Sequence, residues 1–551
     1  MQDILLTEQS FRKIREATGL YIDKTEHIYH VLSKDAYYFI ARPRRFGKSL
    51  LCSTLAELFA GNRGLFKDLW IDSSDWQWEK YPVIHLDMTG GISSTGDAQE
   101  VRKKLMLMIT LLAAEYNIDV NQAPDPGTAL QLLILGIQKG LNKPVVLIID
   151  EYDKPLLDAI DKTDRYAAIH DEIRTFYSPL KSLAPALKLV FITGVFKFAK
   201  TSIFSGFNNL NDITFDIPAA EICGYTEQEI KTFFAEHLAA LAAKANVSED
   251  QMMITLQSQY NGYRFGLDSL AKKLSDSVYN PYGLNYVFAK QDLLHKWFAS
   301  GSPTVLIKKL SANNFTSLET SGLSIPFSML DESCTPDDLA LHENFSETHN
   351  TDQELASITL LYYAGYLTIQ QYHDGDIFLG FPNQEVATAF SGALLPVILN
   401  QTATTMIKIM RKIGNVFKEQ RLNDLKELLN DALSPVSYHT LKQASGNTRS
   451  TIIPENFYHF GFYFLFSGSN VKTTTEETSL GGRADLVVET TQAVYLFEFK
   501  MDTPADDGIK QIKSREYARK FKHAGKQLYA IGISASSEKR FIKELAWEAL
   551  I

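Results

Sequence analysis

No other stretch limits the fold of this chain as strongly as the loop Arg42-Pro43-Arg44-Arg45-Phe46-Gly47-Lys48-Ser49. The apolar run before it, residues 37–41, predicts a buried strand, and residues 50–60 after it predict a helix. Strand, tight loop and helix is the context of a phosphate-binding loop, because backbone N–H groups and a helix N-terminus hold a polyphosphate. Lys48 would supply an ammonium group, and Ser49 a hydroxyl ligand for Mg²⁺. The predicted nucleotide contacts in this loop are Arg45, Phe46, Gly47, Lys48, Ser49 and Leu50.

The loop departs from the full G-x-x-x-x-G-K-[ST] pattern, because Arg42 stands where the first glycine is expected. Gly-Lys-Ser alone also fits an ordinary helix start, so the rest of the chain must decide. Residues 144–151 form an uncharged run that ends in Asp150 and Glu151, the pattern of a parallel strand buried on both faces. Ligands bind at the carboxyl ends of such strands. We therefore expect Asp150 to order the Mg²⁺ shell and Glu151 to orient the attacking water, with helix capping as the alternative.

Other residues are candidates for nucleotide contacts, and each has an ordinary structural role as its alternative. A third buried strand, residues 187–192, ends at Thr193, whose hydroxyl could sense the γ-phosphate. Lys197, Lys200 and Arg264 could supply further cations, or could lie in solvated loops and turns. Tyr21 and Ile22 precede the loop strand and could contact the base, or could pack within an N-terminal helix and turn. These candidates are Thr193, Lys197, Lys200, Arg264, Tyr21 and Ile22.

Composition limits the class of protein and its compartment. A chain of 551 residues is too long for one core, so two to four domains are expected. The net charge of −10 means that any nucleic-acid surface must be local. Cys52, Cys223 and Cys334 are widely separated, which argues against disulfides and a zinc cluster and fits a reducing cytoplasm. No apolar run reaches membrane-spanning length, so we expect a cytoplasmic protein without a membrane partner.

The middle of the chain, residues 281–440, is predicted to be mostly helical. A helix over residues 353–363 precedes a hairpin with its turn at Asp374-Gly375, which suggests a small winged-helix-like unit. By analogy such a unit could act as a lid. Residues 404–432 predict one long amphipathic helix. The predicted domains are residues 1–225, 226–440 and 441–551.

A second set of charged residues lies near the C-terminus. Residues 483–488 and 494–500 predict a hairpin that carries Asp485 on one strand and Glu498 and Lys500 on the other. Side chains alternate along a strand, so Glu498 and Lys500 share one face and Asp485 can reach it. Two carboxylates and an amine suit metal-dependent phosphodiester cleavage, with the carboxylates as Mg²⁺ ligands. A surface salt bridge on a hairpin is the alternative.

The stretch after this hairpin reverses the charge of the chain locally. Residues 510–526 predict a helix with one acid, Glu516, among many basic residues, which suits a phosphate backbone. A solvated basic face is the alternative. The basic residues are Lys510, Lys513, Arg515, Arg519, Lys520, Lys522 and Lys526.

Six motifs in this order resemble those of bacterial AAA-ATPase-like proteins that carry a C-terminal PD-(D/E)XK nuclease-like domain. They are residues 21–25, the loop 42–49, and residues 149–153, 193–195, 260–265 and 279–281. The resemblance implies an α/β fold: a P-loop NTPase parallel sheet, a helical, winged-helix-like middle region and a C-terminal α/β restriction-endonuclease-like domain. An arginine-rich loop is usual in that family. The implied cofactors are ATP and Mg²⁺.

The same resemblance assigns roles to residues near Asp485, Glu498 and Lys500. The order strand, acid-x-Lys strand, helix, strand is similar to the core of PD-(D/E)XK nucleases. Glu455 matches the helical acid of that class, and Gln511 with Tyr517, six positions further along, resembles its Gln…Tyr pattern. The resemblance also suggests a role in defence against, or maintenance of, mobile elements.

The favoured prediction is ATP-regulated, Mg²⁺-dependent cleavage of nucleic acid, with DNA preferred to RNA. One rival is a nucleotide-switched interaction protein whose nuclease-like domain binds without cutting; the complete set of Asp485, Glu498 and Lys500 argues against it. A second rival is a motor or chaperone that uses the ATPase alone; the basic stretch argues against that. The sequence leaves oligomerisation open.

Overall fold

The computed structural model describes most of the chain in two compact units. One unit comprises residues 1–297 and 326–377, and the other comprises residues 298–325 and 378–551. The predicted three-domain division, with boundaries near residues 225 and 440, stays a prediction. The described residues are 2–32, 36–89, 97–159, 163–197, 210–293, 295, 307, 324–331, 358–434, 453, 455–479, 482–514, 521 and 525–550.

A parallel sheet forms the centre of the first unit. Its five strands lie in the order β2-β3-β4-β1-β5, and every neighbouring pair is parallel. β1 and β3 are buried along their whole length, as expected when helices cover both faces. The strands are β1 (Tyr37–Ala41), β2 (Val83–Asp87), β3 (Val145–Asp150), β4 (Leu187–Gly194) and β5 (Asn211–Asp212). The sequence also predicts a strand over residues 212–215, but β5 ends at Asp212, whose carboxylate accepts the N–H of Thr214 and turns the chain.

Helices surround this sheet and continue beyond it. They are α1 (Phe11–Glu16), α2 (Thr25–Val31), α3 (Lys48–Phe59), α4 (Ala98–Glu115), α5 (Pro126–Leu141), α6 (Lys154–Leu157), α7 (Thr163–Tyr177), α8 (Glu227–Phe233), α9 (Ala235–Ala245), α10 (Glu249–Tyr260), α11 (Pro281–Lys290) and α12 (Phe327–Asp331). The helices α8 to α11 pack around a shared apolar cluster. The sequence also predicts a capping box at Thr226 and Glu229 that opens one helix over residues 226–245. The capping box is confirmed, but the helix breaks at Phe234 into α8 and α9.

Two small sheets complete the description of the middle segment. β6 (Leu267–Asp268) pairs with β7 (Lys273–Leu274), and β8 (Ser324–Pro326), β9 (Thr368–His373) and β10 (Asp376–Gly380) form a sheet of order β8-β10-β9. The predicted hairpin is confirmed in β9 and β10. Its turn residues Asp374 and Gly375 have φ of 50° and 98°, the positive values that a tight two-residue turn needs. The helix before it is described only from residue 358, and its start at 353–357 lies outside the described residues.

The second unit is built on a five-stranded mixed sheet whose strands follow chain order. Only β13 and β14 run parallel, and the other pairs are antiparallel. The strands are β11 (Lys472–Ser479), β12 (Gly482–Glu489), β13 (Ala493–Met501), β14 (Gln527–Ala535) and β15 (Ile542–Leu550). The helices are α13 (Gln384–Ile398), α14 (Ala403–Glu419), α15 (Leu425–Leu433), α16 (Glu455–Ser467) and α17 (Ala505–Ser514). Among the helices described in either unit, none has the length and apolar content to cross a membrane.

Two helix predictions in this unit need correction. The single helix predicted over residues 404–432 is two helices, because Gln420 adopts a left-handed backbone with φ 57° and ends α14 before α15 begins. The helix predicted over 510–526 begins earlier, at Ala505, and is described only to Ser514. Residues 515–520 and 522–524 lie outside the described residues.

Candidate functional sites

The phosphate-loop candidate connects β1 directly to α3. The helix begins at Lys48 rather than at the predicted Leu50, so Lys48 and Ser49 belong to its first turn. Gly47 has φ 92° and Arg45 has φ 68°, so two left-handed residues turn the chain into the helix. A Cβ at residue 47 would meet no atom within 4 Å, so glycine is favoured there by its backbone and not by space.

The Lys48 ammonium lies inside the loop. Only 4% of this residue is exposed, and its Nζ donates to the carbonyl oxygens of Arg42 at 3.0 Å and Pro43 at 3.2 Å. These are weak, neutral acceptors, and phosphate oxygens carrying charge would replace them favourably. Lys48 is therefore held where a bound polyphosphate could take over its hydrogen bonds.

Arg42, the residue that replaces the first glycine, is fully buried. Its Nη1 donates to the carbonyls of Ala41 and Thr214, both at 2.8 Å, and its Nη2 donates to Ala219 at 2.9 Å. The guanidinium lies 4.4 Å from the centre of the Phe265 ring, and burial lowers its pKa. Arg42 does not adopt a left-handed backbone, so the position has no need of glycine. The side chain ties the end of β1 to the segment that follows β5.

The side chains of two other predicted loop contacts pack against aromatic residues. Phe46 is 1% exposed, and its ring centre lies 4.7 Å from that of Tyr263 and 5.1 Å from that of Phe265. The Arg45 guanidinium lies 4.8 Å from the centre of the Tyr282 ring. Backbone N–H groups remain the natural phosphate ligands at these two positions.

Asp150, Glu151 and Thr193 meet at the carboxyl ends of β3 and β4. Asp150 is 2% exposed, and its Oδ1 accepts a hydrogen bond of 2.5 Å from the Thr193 hydroxyl. The same hydroxyl accepts the N–H of Glu151 at 3.3 Å. Glu151 has φ 52°, a left-handed backbone that is unfavourable for a residue with a Cβ and is typical of functional sites. Thr193 thus positions both acids, and its contact with a γ-phosphate stays a prediction.

Asp153 lies in the same cluster and was given no role from sequence. Its Oδ2 accepts the N–H groups of Val195 at 2.9 Å and Phe196 at 2.8 Å, which fixes the chain after β4. Burial raises the pKa of Asp153 to about 6. A pattern of three acids within four residues gives no sign of which one is structural.

The remaining nucleotide candidates have structural partners. Tyr21 and Ile22 are buried, and Ile22 belongs to the apolar cluster of α8 to α11. Lys197 Nζ lies 2.7 Å from Asp212 and 2.8 Å from Asp331. Arg264 is partly buried, which lowers its pKa. Lys200 lies outside the described residues.

In the second unit, Glu498, Lys500 and Gln511 are joined by hydrogen bonds. Glu498 on β13 is 2% exposed, and its Oε1 accepts from Lys500 Nζ at 3.1 Å and from the Gln511 side-chain amide on α17. Phe497 on the same strand packs on the opposite side, 5.1 Å from Phe466. The structure therefore confirms that side chains along β13 alternate between the two faces of the sheet as predicted.

Asp485 on β12 reaches β13 through its carboxylate. Its Oδ2 accepts the backbone N–H of Phe499 at 2.7 Å, directly beside Glu498. This bond fixes one oxygen of Asp485 at the strand that carries Glu498 and Lys500. The structure thus brings the three predicted catalytic residues to adjoining positions on two neighbouring strands.

His459 on α16 is a site residue that sequence reasoning missed. Its Nε2 lies 3.6 Å from Asp485 Oδ2 and 3.8 Å from Glu455 Oε1, and its ring centre lies 4.7 Å from that of Phe499. Although 31% of the side chain is exposed, Nε2 itself is buried and has no hydrogen-bond partner among the described residues. Burial lowers the pKa of His459 to about 4, aided by Lys500 and opposed by Glu455. The imidazole is neutral near pH 7 and able to act as a ligand. The aromatic-rich sequence of α16 gave no sign of which side faces Asp485.

The described part of the basic stretch is largely neutralised. Lys510 pairs with Asp507 at 2.9 Å, Lys513 pairs with Glu548 at 2.5 Å, and Lys526 lies 3.4 Å from Glu489. The other predicted contributors, and the aromatic partner of Gln511, lie outside the described residues: Arg515, Glu516, Tyr517, Arg519, Lys520 and Lys522.

Comparison with known proteins places the two sites in two families. Residues 6–204 match the AAA-ATPase-like family, described as predicted AAA-ATPases, and residues 453–545 match the PD-(D/E)XK nuclease superfamily. The chain belongs to the family of AAA-ATPase-like proteins with a C-terminal PD-(D/E)XK nuclease domain, which confirms the resemblance seen in the sequence. Domains of these two kinds generally use a nucleotide and a divalent metal ion, and both suggest hydrolase chemistry.

One relative extends over nearly the whole chain. An uncharacterized protein in the vnfD 5′ region of Azotobacter chroococcum mcd 1 is 31% identical, and the match covers 98% of each chain. Among solved structures, the Aeropyrum pernix ORC2 protein in ADPNP-ADP complexes has a TM-score of 0.23 at 9% identity, covering 67% of this chain and 89% of that one. The Aeropyrum pernix ORC1 protein in complex with DNA has a TM-score of 0.23 at 11% identity, covering 69% and 91%. Likeness at this level does not indicate a shared activity.

Proposed function

We propose that this protein binds ATP and cleaves nucleic acid with a divalent metal ion, and that the nucleotide state controls cleavage. The observation that carries the proposal is the arrangement of Asp485, Glu498 and Lys500 on two adjacent strands, with Gln511 hydrogen-bonded to Glu498. The Glu498 carboxylate is buried beside the Lys500 amine, a costly arrangement that a structural role alone does not require. DNA is the favoured substrate and Mg²⁺ the favoured ion.

The donor set fits a divalent cation. Asp485 and Glu498 offer hard oxygen ligands, and His459 offers a neutral nitrogen next to Asp485. A bound metal ion would supply Lewis-acid activation of water and of the scissile phosphate. The amide of Gln511 holds Glu498 in place, and the Phe499 N–H holds Asp485. The Lys500 ammonium is positioned to stabilise the negative charge that develops on the phosphate.

In the first unit, the positions of Lys48, Ser49 and Asp150 support nucleotide binding. Lys48 would exchange two carbonyl acceptors for phosphate oxygens, and Ser49 in the first turn of α3 would join Asp150 in holding Mg²⁺. Glu151 would orient the attacking water. The two described cysteines, Cys52 and Cys223, are free thiols, which supports a cytoplasmic location. A role in defence or in mobile-element maintenance is an extrapolation from the character of the family and not from particular residues.

The proposed cleavage of nucleic acid is tested by an assay on DNA and RNA substrates in Mg²⁺ and Mn²⁺. Asp485→Ala and Glu498→Ala should each abolish cleavage, because each removes a hard oxygen ligand. Lys500→Ala should keep nucleic-acid binding and lose turnover, because its role is in the transition state. Gln511→Ala and Glu455→Ala should have milder effects. Glu538→Ala, at an exposed carboxylate of the same unit, is the matched control. If Glu498→Ala cleaves as fast as wild type, the binding-only rival becomes the better account.

The proposed binding of ATP is tested by calorimetry. Lys48→Ala should abolish ATP binding, and Asp150→Ala should weaken Mg²⁺–ATP more than metal-free ATP. Glu151→Gln should bind normally and hydrolyse slowly. The exposed Lys67→Ala serves as the control for removal of a lysine. Wild-type affinity in Lys48→Ala would show that the loop does not hold the phosphates.

A further inference from the structure

Three metal-ligating side chains converge beneath the phosphate loop. Cys52 comes from α3, His85 from β2 and Asp150 from the end of β3. A sulfur, an imidazole nitrogen and a carboxylate oxygen from these residues all lie within 4.8 Å of one another. Among the described residues, no other group of this kind and closeness occurs.

The fold explains why these three meet. Parallel pairing sets His85 opposite Ile148 and Asp87 opposite Asp150, so His85 and Asp150 lie on the same face of the sheet. α3 packs against β3, and Cys52 lies one helical turn after Lys48 on that helix. The cluster is thus built from regular elements, and no mobile loop has to supply a ligand.

The contacts within the cluster favour a bound ion over simple packing. His85 Nε2 is buried and has no hydrogen-bond partner among the described residues. Cys52 is fully buried and forms no disulfide bond with another described cysteine. A buried imidazole nitrogen without a partner is unfavourable, and a metal bond would satisfy it. Thr193 donates to Asp150 Oδ1 and fixes the direction of that carboxylate.

The ligand atoms of Cys52, His85 and Asp150 indicate which metal ion the cluster would bind. Zn²⁺ accepts sulfur, nitrogen and oxygen ligands, and in catalytic sites it takes three protein ligands and keeps a fourth position open. Mg²⁺ prefers oxygen ligands only and binds such sites weakly. We propose that Cys52, His85 and Asp150 form a binding site for a thiophilic divalent ion such as Zn²⁺, and that this ion excludes Mg²⁺–nucleotide by occupying Asp150. Coordination releases the thiol proton of Cys52 to water. The exclusion rests on the proposed nucleotide function, whereas the metal site does not.

Metal binding is measured first, by competition between the full chain and a chromophoric chelator for Zn²⁺. His459→Ala is present in every sample, so that the nitrogen donor of the second unit is absent. Cys52→Ser and His85→Gln should each weaken the affected site by about 10- to 100-fold or more, at least the range found when supporting contacts of a metal site are removed. Cys223→Ser, at the second buried cysteine that the structure describes, should bind Zn²⁺ as tightly as the parent protein that carries only His459→Ala. Equal affinity in Cys52→Ser and the parent would overturn the site.

Nucleotide exclusion is measured with a fluorescent ATP analogue in Mg²⁺ while Zn²⁺ is titrated. The parent should lose the analogue at the Zn²⁺ concentration that fills the site, and Cys52→Ser should require at least about tenfold more. Cys52-dependent Zn²⁺ binding without loss of the analogue would overturn the exclusion. If the analogue does not bind even before Zn²⁺ is added, the proposed nucleotide function fails, and the chelator measurement still decides the metal site.

Discussion

At the scale of single residues, buried carboxylates fix the loops around the candidate nucleotide site. Asp153 is the clearest case: its Oδ2 accepts two backbone N–H groups after β4, and its Oδ1 has no hydrogen-bond partner among the described residues. The residue is fully buried, which raises its pKa from 3.8 to about 6. The charged form is therefore disfavoured in the folded state and favoured in the unfolded state.

This imbalance predicts a pH-dependent stability. Between about pH 4 and pH 6 the folded state binds a proton that the unfolded state has released, so the Asp153 contribution falls as pH rises through this window. A shift of about two units corresponds to about 3 kcal/mol. Asp153→Asn should lose less stability than wild type between pH 4.5 and pH 7, measured by the thermal unfolding midpoint. Asp119→Asn, at an exposed carboxylate, should behave as wild type does. Identical pH profiles for Asp153→Asn and wild type would contradict the prediction.

Individual residues also show which parts of the two sites can be predicted from the sequence. Asp485, Glu498 and Lys500 were identifiable because alternation along two strands determines their positions. His459 was not, because its role depends on how α16 packs against β12, and an aromatic-rich helix gives no orientation. Arg42 was recognised as a departure from a motif, but its three carbonyl partners come from the tertiary fold.

At the scale of elements, close packing of α17 on the sheet places Gln511 against Glu498. The approach depends on glycine at two positions. A Cβ at Gly532 on β14 would lie 1.9 Å from the carbonyl oxygen of Ala505, and a Cβ at Gly508 would lie 3.0 Å from that of Glu498. Backbone atoms form both contacts, so neither can be relieved by a change of rotamer.

Gly532→Ala should therefore push α17 away from the sheet. We expect a loss of about 1–3 kcal/mol or more in unfolding free energy, as for other overpacked cores, together with loss of the Gln511–Glu498 hydrogen bond and of cleavage. Gly461→Ala within α16 is the matched control, because its Cβ meets no atom within 4 Å and alanine favours the helix by about 1 kcal/mol. Urea unfolding of both variants, with cleavage rates, makes the comparison. Equal stability of the two would show that the approach of α17 tolerates a methyl group.

Elements differ in how well sequence predicts them. The buried strands β1, β3, β4, β13 and β14 are rich in apolar residues and were recognised from the sequence. The edge strand β15 was not, because Ile542–Leu550 is rich in alanine, glutamate and leucine, which favour a helix. Pairing with β14 from Leu528↔Leu550 to Ala535↔Ile542 overrides that preference. β11 is also an edge strand, and its threonine- and glutamate-rich sequence lacks an apolar alternation.

At the scale of the whole molecule, two chemical sites lie in two separate compact units. A chain that carries both gains from them together only if the state of one biases the other. We predict that cleavage by wild type differs by at least about fivefold between ATP, ADP and no nucleotide, the lower end of typical coupling between sites. Lys48→Ala should give one rate in all three conditions, and Lys67→Ala should respond as wild type does. Equal wild-type rates throughout would mean that the two sites work independently.

The burial of Arg42 has a consequence for the replacement of this residue. Arg42→Gly would restore the consensus of ordinary phosphate loops, yet it would leave the carbonyls of Ala41, Thr214 and Ala219 without their donor and open a space beside Phe265. An Arg42→Gly variant would therefore be less stable than the wild type. Exchange of arginine for glycine at this position would need compensating changes near Thr214, Ala219 and Phe265, which lie far from the loop in sequence.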